Sequence, residues 1–484
     1  MSIKDLQPQE VFENFYSLTQ IPRPSKKEAK VIAFMKKFGE DLGLETIVDE
    51  VGNVIIRKPA TPGYENRHGV ILQAHLDMVP QKNADCAHDF ENDPIETYVD
   101  NGWVRAKGTT LGADNGVGAA AAMGVLASKT LEHGPVEALF TIDEETGMTG
   151  ANALKADVLH GDILLNMDSE TEGELYVGCA GGIDTTGTFS PKMEKVADGM
   201  KAFELAVKGL KGGHSGMDIN LGRGNANKIM NTLLIMVSQK FDVRLATISG
   251  GSLRNAIPRE SFATIVVPAE KAEDLKTYIA EYEAVVKEQF KETEPDAMVT
   301  IAEAEMPAEV IDNKTFKNLM TAIAKYPNGV IGMSKDFEGT VETSSNLAIV
   351  KMENGKIVTC SLQRGLVDDL KDKLASEIRN VLIDNGAHAE SSGEYHGWQP
   401  NINSPILATM KNVYKDKFGK EPKVMVVHAG LECGILGAKY PNWDMMSFGP
   451  TLVHPHSPDE ALLIETVQLF WDFLTETLKN VPEK

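Results

Sequence analysis

Acidic and imidazole side chains follow several apolar, strand-like runs of this sequence. They come directly after runs rich in Val, Ile, Leu, Phe and Thr in GVILQAHLD, ALFTIDEE and ILLNMD, and after a glycine-flanked turn in TTLGADNG. The side chains concerned are His75, Asp77, Asp114, Glu144, Glu145 and Asp168. In an open α/β sheet the carboxyl ends of the strands share one edge, so residues far apart in sequence converge there. Carboxylate oxygens mixed with imidazole nitrogens are typical ligands of divalent metals, and the pattern therefore predicts a metal site.

Each of these residues also has an ordinary explanation when it is taken singly. Asp114 precedes an Ala/Gly-rich helix and could be its N-cap, the pair Glu144-Glu145 could be solvated, and His75 could be a core histidine. The coincidence of several such groups at strand ends, where isolated carboxylates would be costly, favours the metal site. The spacing of His75 and Asp77 also lets the carboxylate accept a hydrogen bond from the second imidazole nitrogen.

Composition limits the class of protein. The chain has 484 residues, of which 42% are apolar, enough for two or three domains with full cores. It has no run near the roughly 20 apolar residues of a membrane span and no secretory signal pattern, which predicts a cytoplasmic protein without a membrane partner. A net charge of -22 argues against nucleic acid as a partner. Four widely separated cysteines, Cys86, Cys179, Cys360 and Cys433, contain no CxxC pair and are predicted to be buried.

The chain is expected to fold as an α/β protein with an insertion. Residues 8–180 alternate helical and strand patterns, which predicts a mostly parallel sheet flanked by helices. The glycine-rich VGCAGGIDTTG marks a boundary, and residues 188–394 have the pattern of an inserted α+β lid domain. The catalytic domain is therefore predicted to be discontinuous, 1–187 plus 395–484. Its last helix is predicted to start at 457–460, where SPDE has capping-box spacing and proline at the first helical position.

Five motifs in order resemble those of one enzyme family. They are HLDMV at 75–79, GADNG at 112–116, DEETG at 143–147, NMDSE at 166–170 and GGHSG at 212–216. Together they resemble the cytosolic aminoacyl-histidine dipeptidases (peptidase D, Xaa-His dipeptidases), of the clan of dinuclear zinc aminoacylases and carboxypeptidases. The similarity covers essentially the whole chain and implies a zinc-exopeptidase-like fold. HAGLECG at 428–434 departs from the corresponding motif of related tripeptide aminopeptidases, which favours the dipeptidase branch.

The resemblance implies a set of metal ligands, residue by residue. His75 and Asp168 would bind one metal, and Glu145 would bind the other together with His456 of the HPHSPDE segment. Asp114 would bridge the two. The resemblance thus implies two divalent metal ions per chain, with zinc favoured by the mixture of imidazole and carboxylate, and manganese or cobalt also compatible.

The resemblance also implies catalytic and substrate-binding residues. Glu144 would be the general base, and Asp77 would orient a metal-binding histidine. In the inserted domain His214 would polarise the scissile carbonyl, while Asn255 and Arg364 would hold the substrate, Arg364 through its C-terminal carboxylate. The alternatives left open are that GGHSG is a turn, Asn255 a turn residue and Arg364 a surface charge.

The function implied is metal-dependent hydrolysis of dipeptides, preferentially of the Xaa-His type, by water that two metals activate. An acylamino-acid deacylase or another exopeptidase of the clan is the alternative, because the same site hydrolyses any amide that it admits. Glu432 is left open between a contact with the substrate's ammonium and a buried, hydrogen-bonded carboxylate. The sequence also leaves the oligomeric state open, a homodimer included, and does not say whether His214 serves its own subunit.

Three other classes fit the sequence less well. A serine hydrolase would need G-x-S-x-G on a strand-to-helix turn, and Met217 stands where the second glycine should be. A dinucleotide enzyme would need G-x-G-x-x-G, which GADNGVGA does not match. A non-catalytic binding protein that kept this fold is expected to have lost a ligand or the base, and none is missing from the sequence.

Overall fold

The computed structural model describes residues 2–484 and divides them into two compact units. Unit 1 contains the residues up to Cys179 together with Trp398–Val426 and Leu431–Lys484, and unit 2 contains Ala180–Gly397 and Val427–Gly430. The boundary predicted at 187 lies inside a strand, Gly181–Phe189, that pairs in the sheet of unit 2. Its glycines form extended strand rather than a linker, which moves the start of unit 2 to Ala180. Within residues 2–484, no helix has the length and apolar character needed to span a membrane.

The strands are numbered in the order in which the chain forms them. The strands up to the end of unit 1's first segment are β1 Glu45–Val48, β2 Val54–Lys58, β3 Val70–His75, β4 Thr97–Asp100, β5 Trp103–Ala106, β6 Val136–Thr141, β7 Ile163–Asn166 and β8 Glu174–Cys179. Those of unit 2 are β9 Gly181–Phe189, β10 Met193–Lys195, β11 Met200–Lys208, β12 Gly213–His214, β13 Arg244–Gly250, β14 Ala256–Ile257, β15 Ser261–Pro268, β16 Met298–Glu303, β17 Glu309–Ile311, β18 Gly329–Met333, β19 Val341–Glu353, β20 Lys356–Gly365 and β21 His388–Tyr395. The remainder are β22 Lys423–Val427, β23 Asp444–Ser447, β24 Leu452–Val453 and β25 Ala461–Leu463.

The helices alternate with these strands. They are α1 Gln9–Thr19, α2 Ala29–Asp41, α3 Ala113–Ala127, α4 Glu144–Gly147, α5 Thr149–Ala153, α6 Ala226–Phe241, α7 Ala272–Gln289, α8 Asn313–Lys325, α9 Asp368–Asp384, α10 Pro405–Phe418, α11 Glu432–Lys439 and α12 Ile464–Asn480. Short 3₁₀ turns lie at Ile3–Asp5, Ile219–Leu221 and Ala269–Lys271.

The main sheet of unit 1 has the strand order β1-β2-β6-β3-β7-β23-β8-β22. Its centre is parallel, since β3 pairs with β6 and β7, and β7 pairs with β23. The pairs β1-β2, β2-β6 and β8-β23 are antiparallel, so the sheet is mixed. Every residue of β3, β6 and β7 is buried, which explains why these strands are almost continuously apolar. The predicted α/β class is confirmed, with parallel pairs at the centre of a mixed sheet.

The helix predicted to start at 457–460 begins later. α12 starts at Ile464, and Ser457 and Glu460 form a turn in which the Glu460 N–H donates to the Ser457 carbonyl at 3.0 Å. The intervening residues form β25, which pairs with β5 and β24. The capping-box prediction is therefore wrong, because the Glu460 side chain is engaged by a distant segment of the chain.

Unit 2 has the α+β character predicted for the insertion. Strands β16-β11-β15-β13-β19-β20-β9-β21 form an antiparallel sheet, and β18 extends it by pairing with β19. Apolar side chains of the sheet and of helices α6 to α9, including Phe203, Leu233 and Ile378, form its core. Its action as a lid stays a prediction. Among the cysteines, Cys179 and Cys433 are buried as predicted, whereas Cys86 and Cys360 are only half-buried.

Candidate metal centre

The ends of three adjacent parallel strands carry most of the predicted site. His75 is the last residue of β3, the pair Glu144-Glu145 follows β6, and Asp168 lies two residues beyond β7. Because β6, β3 and β7 are neighbours with parallel direction, their carboxyl ends lie at one edge of the sheet. The structure therefore brings these residues together by topology.

Two further candidates reach the same edge from outside the sheet. Asp114 is the second residue of α3, with non-helical backbone angles (φ −79°, ψ 110°), and it follows Gly112, whose φ of 70° is left-handed. The Asp114-Asn115 peptide bond is cis. His456 lies in the connection between β24 and β25, also with a positive φ of 60°. Both residues are thus presented by irregular backbone.

Asp114 stands between the two imidazoles. Its Oδ1 is 3.0 Å from His75 Nε2, and its Oδ2 is 3.1 Å from His456 Nε2. His75 Nε2 also lies 3.4 Å from Asp168 Oδ1, and His456 Nε2 lies 2.9 Å from Glu145 Oε2. Asp114 therefore has one oxygen toward the pair formed by His75 and Asp168, and the other toward the pair formed by His456 and Glu145. This is the arrangement expected of a bridging carboxylate.

The pKa values show how negative this edge is. Burial by itself lowers the pKa of His75, but the carboxylates of Asp168, Asp114 and Asp77 raise it well above its ordinary value. Hydrogen bonds to Asp114 and Glu145 raise the pKa of His456 to about 11. Burial raises the pKa of Asp168 to about 6, although the charge of His75 opposes the rise. The carboxylates of this cluster thus carry more negative charge than its two imidazoles can neutralise.

The donor set fits divalent cations. Ligand atoms of His75, Asp114 and Glu145 all lie within 4.8 Å of one another. The second oxygen of Glu145, Oε1, is buried and makes no hydrogen bond, which is costly for a carboxylate unless a cation is present. Two imidazoles and three carboxylates exceed the ligands of one tetrahedral ion with an open position.

The adjacent glutamates differ in their contacts. Glu144 and Glu145 begin the one-turn helix α4 after Asp143, whose φ is 51°. The Glu145 side chain is 4% exposed and contacts His456. The Glu144 carboxylate makes no hydrogen bond or ion pair with residues 2–484, and burial first, then the charges of Asp168 and Glu145, raise its pKa well above the ordinary value.

Asp77 supports both the histidine and the helix. Its Oδ1 lies 3.3 Å from His75 Nδ1, the nitrogen that faces away from Asp114. Its oxygens also accept the N–H groups of Glu144 at 3.0 Å and Glu145 at 3.2 Å, and the Ser25 hydroxyl at 2.8 Å. Burial opposes ionisation, yet the hydrogen bond and charge of His75, followed by the hydrogen bonds from Glu144 and Ser25, lower the pKa of Asp77 to about 2. Asp77 is therefore an anion that fixes both the ring and the start of α4.

Several supporting residues were not predicted from the sequence. Asn115 donates to the Met167 carbonyl at 2.8 Å and to the Asp168 carboxylate. Arg23 and Glu460 are both buried and bind the backbone of the segments that carry the candidate ligands. The sequence around these residues does not predict such roles, because each side chain binds main-chain atoms that are far away in sequence.

A buried polar network crosses the strands next to the candidate ligands. Glu432 Oε2 accepts hydrogen bonds from Gln73 Nε2 at 2.6 Å and from Thr141 Oγ1 at 2.7 Å. Asn166 donates to the side-chain oxygen of Gln73 and accepts from the Ser447 hydroxyl. Burial raises the pKa of Glu432 to about 7. Glu432 thus matches the buried, hydrogen-bonded alternative, and its Oε1 is left without a hydrogen-bond partner.

Unit 2 brings the three predicted substrate-binding residues close to one another. His214 lies in β12, opposite Ala256 of β14, and the Ser215 N–H donates to the Asn255 carbonyl at 2.8 Å. Asn255 is exposed in the turn before β14. Arg364 is 3% exposed, so its interpretation as a surface charge is wrong. It lies in β20, whose last five residues are buried between β19 and β9.

The polar atoms of His214 and Arg364 form two converging donors. His214 Nδ1 accepts the N–H groups of Gly216 at 3.2 Å and Met217 at 3.0 Å, so a neutral ring carries its hydrogen on Nε2. Arg364 Nη2 lies 3.4 Å from that Nε2, and both atoms are then donors. Arg364 Nη1 donates to the Tyr395 hydroxyl at 2.7 Å, and no carboxylate among residues 2–484 lies within ion-pair distance of Arg364. A buried guanidinium without a carboxylate partner among residues 2–484 favours an anionic oxygen from a ligand.

Comparison with known proteins gives consistent results. The model of peptidase family M20/M25/M40 matches residues 71–480. The cytosol non-specific dipeptidase of Escherichia coli K12 is 46% identical over 485 residues, which cover 100% of this chain and 99% of that protein. The crystal structure of aminoacylhistidine dipeptidase from Vibrio alginolyticus has a TM-score of 0.90 and 47% identity, covering 100% and 99% of the two chains.

A more distant solved structure shares the fold alone. Aminopeptidase PepT from Bacillus cereus has a TM-score of 0.62 at 16% identity, covering 98% of this chain and 99% of its own. The resemblance to the aminoacyl-histidine dipeptidases seen in the motifs is confirmed by the full-length relatives. The chain belongs to peptidase family M20/M25/M40.

Proposed function

We propose that this protein is a metal-dependent dipeptidase that prefers dipeptides of the Xaa-His type. The observation that carries the proposal is the Asp114 carboxylate, which has one oxygen beside His75 and the other beside His456. The names of the full-length relatives, a cytosol non-specific dipeptidase and an aminoacylhistidine dipeptidase, support the substrate class and a cytoplasmic location.

Five residues would hold two divalent cations. His75 and Asp168 would bind one ion, Glu145 and His456 the other, and Asp114 both, which agrees with the pairs of contacts in unit 1. When bound, such ions supply Lewis-acid chemistry at the carbonyl oxygen and lower the pKa of water toward neutrality. Zinc suits this mixture of imidazole and carboxylate, with manganese or cobalt as the other candidates.

Glu144 is proposed as the general base. Its carboxylate has no partner among residues 2–484, so it is available to accept the proton of the attacking water and to pass it to the leaving amine nitrogen. Asp77 holds the N–H of Glu144 and keeps the hydrogen-bonded ring nitrogen of His75 in place.

The residues of unit 2 are proposed to act on the substrate. The buried guanidinium of Arg364 lacks a carboxylate partner among residues 2–484, which suits the C-terminal carboxylate of a dipeptide. His214 would donate from Nε2 to the oxygen that becomes negative in the transition state. Asn255, in the turn before β14, accepts the N–H of Ser215, the residue after His214, and is proposed as a further substrate contact.

A matched pair of substrates tests the proposal. Glycyl-histidine and N-acetyl-histidine differ only in the amino group, and both release histidine when the amide bond is broken. We expect the metal-loaded enzyme to hydrolyse glycyl-histidine with the higher kcat/KM. Faster hydrolysis of N-acetyl-histidine would contradict the dipeptidase activity and favour an acylamino-acid deacylase. If protein that holds two metals hydrolyses neither substrate, both activities are contradicted.

A further inference from the structure

The Glu460 carboxylate binds the backbone of the segment that carries Asp114. Oε2 accepts the N–H groups of Leu111 at 2.7 Å and Gly112 at 3.0 Å, and Oε1 accepts those of Ala113 at 2.8 Å and Asp114 at 3.3 Å. Glu460 is 2% exposed. Four consecutive amides therefore converge on one buried side chain, including the amide of the proposed bridging ligand.

Arg23 holds the same segment from its carbonyl side. Its Nη1 donates to the carbonyls of Leu76 at 2.9 Å and Asp77 at 3.0 Å, and its Nη2 donates to the carbonyl of Gly112. Arg23 is also 2% exposed. A Cβ on Gly112 would lie 2.7 Å from Arg23 Nη2, and the φ of 70° at this position also favours glycine. The guanidinium thus joins the segment after β3 to the segment before α3.

These contacts have a consequence for two proposed ligands at once. Glu460 lies four residues after His456, so one short segment supplies an imidazole next to the Asp114 carboxylate and also fixes the Asp114 backbone. Asp114 itself has non-helical backbone angles at the start of α3, where the regular hydrogen bonds of a helix do not yet hold it. Its orientation therefore depends on groups outside the helix.

We propose that Glu460 and Arg23 are positioning residues that hold the backbone of 111–114 so that Asp114 can serve both metals. Both act through main-chain atoms and need no contact with metal or substrate. The proposal rests on the proposed metal centre, in which Asp114 is the shared ligand. Removing a residue that supports a metal ligand typically lowers metal affinity or activity 10- to 100-fold.

The test compares Glu460→Gln with Glu465→Gln. The first change keeps the shape of the side chain but turns an NH₂ group toward two of the four amides, which lose their acceptor. Glu465 is an exposed glutamate in the first turn of α12 and serves as the control. Zinc affinity is measured by competition with a chelator, and amide hydrogen exchange of the metal-free protein is followed in peptides that cover residues 109–116.

We expect Glu460→Gln to weaken zinc binding 10- to 100-fold and to accelerate exchange at 111–114 while exchange in unit 2 stays unchanged. Glu465→Gln should alter neither. If Glu460→Gln does not fold, Arg23→Lys provides the same test, because lysine keeps the charge but cannot reach all three carbonyls in the same geometry.

The outcomes separate the two proposals. Wild-type protein that binds no zinc contradicts the metal centre itself. Wild-type protein that binds zinc, with a variant whose affinity and local exchange are unchanged, contradicts the positioning roles alone. Faster exchange spread evenly over both units would also overturn them, because it would mean that Glu460 only adds global stability.

Discussion

Glu144 and Glu145 are neighbours in sequence, but the structure gives them different surroundings and hence separable effects. Glu145 contacts His456 at 2.9 Å through Oε2, whereas the Glu144 carboxylate touches no other side chain by hydrogen bond or ion pair in residues 2–484. We therefore predict that Glu144→Gln removes the general base without removing a ligand. Glu145→Ala should remove a ligand and leave the base in place.

The size of each effect follows from these roles. A glutamine at 144 keeps the size of the side chain but cannot take a proton, so turnover should fall 10²- to 10⁴-fold, or about 3–5 kcal/mol in the activation free energy. KM for a dipeptide should change little, because Glu144 is not proposed to bind the ground state. Glu145→Ala should release one metal and lower affinity for the second, since His456 loses its contact with Glu145 and Asp114 loses a shared ion.

The assay combines metal analysis with single-turnover hydrolysis of a dipeptide. Each variant is purified without chelator, its metal content per chain is measured, and the rate of the chemical step is followed with enzyme in excess. Wild-type and Glu144→Gln protein should hold the same metal content, and Glu145→Ala should hold less. Each variant is thus the control for the other at the adjacent position.

One pattern of results would refute this division of roles. A Glu144→Gln protein that loses a metal but keeps hydrolysing, beside a Glu145→Ala protein that keeps both metals, would mean that the two glutamates exchange roles. Loss of metal in both variants would show that the start of α4 as a whole, rather than one side chain, supports the site.

Three further predictions follow from contacts elsewhere in the chain. His214→Ala should lower turnover about 10²- to 10³-fold with unchanged metal content, and near-normal turnover would leave GGHSG as a turn. Glu432→Ala should lower the free energy of unfolding by about 1–3 kcal/mol in denaturant titration, because the donors on Gln73 and Thr141 lose a buried acceptor; an unchanged midpoint would contradict this. Lys228→Met should lower the free energy of unfolding by about 1–3 kcal/mol in the same titration, because the Lys228 ammonium donates to carbonyls at the C-terminal end of α8. A free energy of unfolding equal to that of the wild type would contradict a capping role for Lys228.

Some parts of the site could be predicted from the sequence because they obey a local rule. His75 and Asp168 lie at or just after buried parallel strands, whose continuous apolar runs end abruptly at polar residues. An apolar run that ends in a carboxylate is visible without a structure, and parallel topology then brings the ends together. The α/β class and the α+β character of unit 2 follow from the same kind of periodicity.

Other parts depend on contacts that no local pattern contains. SPDE at 457–460 has the spacing of a capping box, but the Glu460 carboxylate accepts amides more than three hundred residues away, and this tertiary contact overrides the local preference. Arg364 lies in an alternating strand, where a single arginine is ordinarily solvated, and its burial depends on β19 and β9 at its sides. The turn from β6 into the one-turn helix that carries Glu144 and Glu145 comes from the left-handed Asp143, which the sequence does not distinguish from ordinary strand.

Metal stoichiometry is the most direct test of the proposed centre. Five candidate ligands arranged about Asp114 predict that protein purified without chelator binds about two divalent ions per chain. Chelation should abolish hydrolysis of an Xaa-His dipeptide, and zinc, manganese or cobalt should restore it. Saturation at one ion per chain, or full activity after exhaustive removal of metal, would contradict a two-metal dipeptidase.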